Sequence, residues 1–135
     1  MTAREYLYRA FYLRLQIREV QERIEELRHR MSSVGAIRYD KLNVQSSPDD
    51  PMVMYIQRLL DAEKELIRLE GELSDAYKEI MDKLEQMDSD LYKTILMKRY
   101  LQGKPLKKIA QEIHYSEGYV CILHTAALKA FATLM

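Results

Sequence analysis

A chain of 135 residues can bury one modest core, or one small globular unit with an elongated appendage, but not two large domains. Four Gly and three Pro among abundant Leu, Glu, Lys, Arg, Met, Gln and Ala speak for helices and against a many-stranded sheet, and the single cysteine, Cys121, excludes an internal disulfide or a Cys-rich zinc cluster. The formal charge of zero hides an asymmetry: residues 1–90 hold 14 Lys and Arg against 19 Asp and Glu, while residues 91–135 hold seven against two, so the C-terminal end is the candidate for meeting phosphates.

The first element is read from Tyr6, Ala10, Leu13, Ile17, Val20, Ile24, Leu27 and Met31, which recur in alternating steps of four and three. That rhythm is the seam of a coiled coil and predicts a helix over about 3–31, ~42 Å long, whose apolar stripe needs a partner. Arg4, Glu5, Arg9 and Arg14 interrupt its start, and no apolar run in the chain approaches the roughly 18 residues that span a bilayer. A cytoplasmic protein without membrane contact is expected.

A loop is expected over residues 32–50, containing Gly35 and the turn-rich run Ser46-Ser47-Pro48-Asp49-Asp50-Pro51. Asp50 suits an N-cap and Pro51 the first helical position, where its missing N–H costs nothing. The second helix, over 51–87, repeats the rhythm at Ile56, Leu59, Glu63, Leu66, Glu70, Leu73, Tyr77, Ile80, Leu84 and Met87. Glu63 and Glu70 then fall on one face as a register device, meeting an arginine of the first helix such as Arg14 or Arg18, or lying at a partly wet seam. Paired carboxylates for metal or acid–base chemistry would need further ligands, and the sequence offers one Glu-x-x-His spacing, Glu26 and His29, where a di-metal bundle uses two. His29 suits the last turn of the first helix, where a cation is favoured.

Shorter helices follow over 88–135. Asp88 or Ser89 caps a helix over Asp90–Leu101, Gln102-Gly103-Lys104-Pro105 stops it, a second covers Leu106–Ile113, and a last one runs from Glu117 to about Thr133. Two helices joined by His114-Tyr115-Ser116, with Ile109, Ala110 and Ile113 facing Val120, Leu123, Ala127 and Leu128, have helix-turn-helix spacing. Ser116 caps the last helix, and Arg99, Lys104, Lys107 and Lys108 lie on or before the supporting helices, where phosphate contacts are usually made.

The stretch Leu96-Met97-Lys98-Arg99-Tyr100-Leu101, then Leu106-Lys107-Lys108-Ile109-Ala110-Gln111-Glu112-Ile113, then Tyr115-Ser116 and Val120 through Leu128, resembles the fourth region of bacterial sigma factors. Over nearly the whole chain, including Tyr39-Asp40 and Val44-Gln45-Ser46-Ser47-Pro48, the sequence is similar to small phage and prophage proteins of Gram-positive bacteria near the RinA/ArpU type of late-transcription regulators. The resemblance implies that the last helix docks in the major groove of double-stranded promoter DNA and that the same domain touches RNA polymerase. It places Ser116, Glu117, Gly118, Tyr119, Ile122 and Thr125 at the groove, with Lys104, Lys107, Lys108 and Lys129 as further DNA contacts. No cofactor, metal or catalytic residue is implied.

The groove-facing chemistry departs from the family pattern. Sigma-like recognition helices carry Arg at the positions of Tyr119 and Cys121, Gln at Ile122 and often a base at Ala126, whereas positive charge on this face reduces to Lys129 and His124. A rival reading therefore stays open, in which the helix-turn-helix is a scaffold whose face Tyr119, Cys121, Ile122 binds a protein. Cys121 has no close cation to activate it, and the ten Tyr and eight Met read as packing residues. Gly-rich phosphate loops, His-Glu-x-x-His and nucleophile elbows are all missing, so no enzyme is expected. The expected architecture is all-α: a long two-helix coiled-coil hairpin over 1–87, which also supports homo-oligomers, followed by a three-helix helix-turn-helix domain over 88–135.

Overall fold

The computed structural model describes residues 1–40 and 50–135, and it is all-helical over them. Helix α1 covers Ala3–Asp40, α2 Pro51–Glu85, α3 Asp90–Leu96, α4 Leu106–Ile113 and α5 Glu117–Ala132. Among the described residues no helix is long and apolar enough to cross a membrane. The run Val44-Gln45-Ser46-Ser47-Pro48 lies outside the described residues, as does most of the expected turn before Pro51.

Helix α1 does not end at Met31 but continues to Asp40. The seam itself explains the extension: half-buried Met31 and Val34 follow buried Val20, Ile24 and Leu27 in the same steps of three and four. Ser33 gives its hydroxyl to the carbonyl of His29 at 3.3 Å instead of competing for a cap, and a Cβ on Gly35 would sit 3.8 Å from the Met52 side chain. Packing thus overrides the helix-weakening Ser and Gly, and His29 lies short of the last turn. Asp50 caps α2 as expected, accepting the Met52 N–H at 2.9 Å.

The seam of α2 runs through Ala62, Leu69 and Ala76, not through Glu63, Glu70 and Tyr77. Both registers share Leu59, Leu66, Leu73 and Ile80; small and aliphatic side chains beside α1 win over two carboxylates, whose burial would need compensation. Glu63 bonds Arg28 at 3.1 Å, not Arg14 or Arg18, and Glu70 is exposed.

The contacts divide the chain into two compact units, one of residues 1–14 with 72–135 and one of residues 15–71, rather than after Met87. Within the first, Ala3, Leu7 and Ala10 of α1 close over Ile80 and Leu84 of α2 and over Phe131 of α5. Arg9 binds Glu79 at 2.7 Å beside this core, and the Tyr6 and Phe131 rings lie 5.8 Å apart. The charged guanidinium holds the Glu79 carboxyl below its usual value.

Ser89 caps α3 by accepting the Tyr92 N–H at 3.2 Å. The helix expected to reach Leu101 as one α-helix widens into a π-helical turn over Met97–Leu101. That turn gives a five-residue recurrence, so Ile95, Leu96, Tyr100 and Leu101 are all buried. Gly103 then reverses the chain at φ 69°, a conformation in which a side chain would be strained, and its neighbours' carbonyls are taken by arginines. Arg14 donates to the Leu101 carbonyl and Arg99 to that of Lys104.

Candidate nucleic-acid interface

Helices α4 and α5 meet over a small apolar cluster of Ile95, Ile109, Ala110, Val120 and Leu123, with Leu106 and Ile113 at its margin. Ala110, 3 % exposed, lets the two backbones approach. His114 ends α4 in the left-handed region at φ 63°, and the Tyr115 N–H returns to the Ala110 carbonyl at 3.1 Å. Ser116 then starts α5, its Oγ accepting the Tyr119 N–H at 3.2 Å.

With Val120, Leu123, Ala127 and Phe131 turned inward, Gly118, Cys121, Ile122, Thr125 and Lys129 form one exposed stripe along α5. Glu117 and Tyr119 lie exposed at its start, where the Tyr115 and Tyr119 rings pack edge to face 5.3 Å apart. Ile122 is 66 % and Tyr119 46 % exposed. Thr125 spends its hydroxyl on the Cys121 carbonyl at 3.2 Å, and Gly118 has open space where a Cβ would stand.

The lysines divide into two groups. Lys107 and Lys108, on the first turn of α4, are exposed and make no ion pair among the described residues. Lys104 is half-buried and committed: its Nζ lies 2.8 and 3.1 Å from the two oxygens of Glu112, and Lys98 reaches the same carboxylate at 2.9 Å. Hydrogen bonds from Lys104 and then Lys98 pull the Glu112 pKa down to about 2, so the carboxylate stays charged wherever the protein is handled. Glu112 is therefore a determinant of surface charge that sequence reading missed. Its spacing to Lys108 suggests a pair along α4, but the ammonium groups that hold it come from eight and fourteen residues upstream.

Two expected cations are not on the interface. Arg99 is half-buried, with its guanidinium on the Lys104 carbonyl and 5.6 Å from the Phe11 ring centre. His124 is 7 % exposed, and its Nε2 shares a 2.7 Å hydrogen bond with the Tyr100 Oη beneath a stacked ring. Helical phase explains the miss: His124 falls between Val120 and Ala127 on the buried side, where a partner from the π-helical turn satisfies it.

Burial, with Arg4 and Arg99 nearby, lowers the His124 pKa. Above about pH 6.5 the imidazole is neutral in both folded and unfolded chains, and the stability of the native site is complete. As pH falls through that value the unfolded chain binds a proton that the folded chain resists, so stability declines toward the folded pKa. The urea midpoint is expected to drop between pH 7 and pH 5, and to drop less in His124→Asn; equal losses would remove His124 as the cause.

Comparison with models of known protein families, with the curated proteins and with the solved structures finds no match for this chain.

Proposed function

We propose that this chain is a DNA-binding transcription regulator of phage or prophage type, related to the sigma-like RinA/ArpU regulators and working in the cytoplasm without catalytic machinery. In this reading α3 to α5 are a helix-turn-helix domain, α5 enters the major groove of promoter DNA, and the same domain touches RNA polymerase. The long helices serve as a coiled-coil hairpin and as the means of self-association. The observation that carries the reading is the pairing of an uncovered α5 stripe with Lys107 and Lys108 uncommitted on the preceding helix. Those lysines suit phosphates flanking the groove, while the open space at Gly118 lets the start of α5 approach a backbone closely.

The test is selection from a random duplex pool, followed by fluorescence anisotropy of a retained sequence across a salt series. Binding through phosphates gives a log–log slope of about one unit per contact. The exposed Tyr115, Tyr119, Ile122 and Cys121 favour a second reading, a protein partner on this same face. An apolar protein interface would bring high affinity with little response to salt.

The clamp on Glu112 yields a prediction of opposite sign to most site mutations. Glu112→Gln removes a fixed negative charge and releases Lys98 and Lys104, so duplex affinity is expected to rise several-fold, with a steeper salt slope. Weaker binding by the folded variant would show that the clamp orients the lysines productively instead.

A further inference from the structure

Helices that read base edges by hydrogen bonding carry bidentate side chains, arginine or lysine for guanine and asparagine or glutamine for adenine. The α5 stripe has none of these between residues 118 and 125. Gly118 presents only backbone, Cys121 an exposed thiol that donates weakly, and Ile122, 66 % exposed, an aliphatic end. Thr125 commits its hydroxyl to the Cys121 carbonyl at 3.2 Å, which leaves its γ-methyl for a partner. Glu117 and Tyr119 flank the stripe about 100° to either side of Gly118, and Lys129 stands beyond it in the last turn.

An apolar patch does not name its occupant, but the helix before it does. Lys107 and Lys108 are exposed on the first turn of α4 and make no ion pair among the described residues, an arrangement that suits a polyanion. In the major groove the apolar group that marks a base pair is the C5 methyl of thymine, and aliphatic side chains and threonine methyls are the groups that meet it.

We propose, resting on the DNA-binding reading above, that Gly118, Cys121, Ile122 and Thr125 select a site through thymine methyl groups, so that the target is a cluster of A·T pairs read by apolar contact. Gly118 and Thr125 are separated by ~10 Å along the helix axis, which covers about three base steps of 3.4 Å. A Cβ at Gly118 would meet nothing within 4 Å, so the start of α5 can come down close to the pairs and bring Ile122 among the methyls. Lys107 and Lys108 supply the phosphate contacts, which fix position without reading sequence.

The test uses the full chain and the duplex retained from the random pool, with single thymines exchanged for deoxyuridine. That exchange keeps the O4 acceptor and the base pairing and removes one methyl group. Each methyl in contact is expected to be worth about fourfold in affinity. Exchanging adenine for 7-deazaadenine, which removes the N7 acceptor, should leave binding as it was. Ile122→Ala, at an exposed position, should keep the parent's circular dichroism and bring the thymine-to-deoxyuridine ratio close to unity at the position Ile122 touches, whereas Lys107→Ala should weaken both duplexes alike. A retained site without thymines, a ratio near unity at every position, a greater loss with 7-deazaadenine than with deoxyuridine, or an Ile122→Ala variant with the parent's ratios overturns the thymine reading while duplex binding stands. Retention of no duplex at all overturns the DNA-binding reading itself, and the thymine reading with it.

Discussion

Reversing both uncommitted lysines of α4, as Lys107→Glu with Lys108→Glu, is expected to lower affinity for duplex DNA by on the order of a hundredfold or more while leaving the fold intact. Each charged hydrogen bond is worth about 1.5–3 kcal/mol, so losing two removes at least ~3 kcal/mol before new repulsion from phosphates is counted. The salt dependence should flatten by about two units, since two fewer counterions are displaced. Neither side chain is buried or ion-paired among the described residues, so thermal unfolding should stay near that of the parent. Unchanged anisotropy titrations would leave the protein-binding reading of α5 standing alone.

Phe131→Ala is expected to have the largest effect on stability, a loss of about 3–5 kcal/mol. The ring is completely buried among Leu7, Ile80, Leu84 and Tyr100, and it joins the far end of α5 to α1. A domain of this size has only about 5–15 kcal/mol in hand, so the variant should unfold at a much lower urea concentration and at a lower temperature than the parent. The denaturation midpoint measures it; a shift equivalent to under ~1 kcal/mol would mean that the core collapses to fill the space. Because the exposed stripe proposed to meet DNA is borne by the same helix, duplex affinity should fall in proportion to the unfolded fraction and recover on cooling.

Local chemistry made some elements legible and long-range packing hid others. The bounds of α4 and the start of α5 followed from Pro105, the His114-Tyr115-Ser116 turn and a serine cap, all decided by a few neighbouring residues. Asp50 was readable as a cap for the same reason. The extension of α1 was not, because Ser32, Ser33 and Gly35 look like a stop until Met52 is known to pack beside them. The register of α2 was ambiguous in principle: two heptad phases share most of their leucines, and only the neighbouring helix selects Ala62 and Ala76 over Glu63 and Tyr77. At the candidate interface, exposure of Tyr119 and Ile122 matched the helical phase, but the burial of His124 depended on Tyr100 arriving from a π-helical turn. The capture of Lys104 depended on Glu112 facing a loop that spacing along one helix does not describe.

The closure of the C-terminal core by Ala3, Leu7 and Ala10 has a consequence for how the chain acquires its structure. Phe131 follows Ala3, Leu7 and Ala10 by nearly the whole sequence, so during synthesis these residues can meet Ile80 and Leu84 early, while the side that Phe131 covers stays open until α5 is made. Contacts of such sequence separation slow the final step of folding and lengthen the interval in which a chaperone or another nascent chain can engage that side of α1.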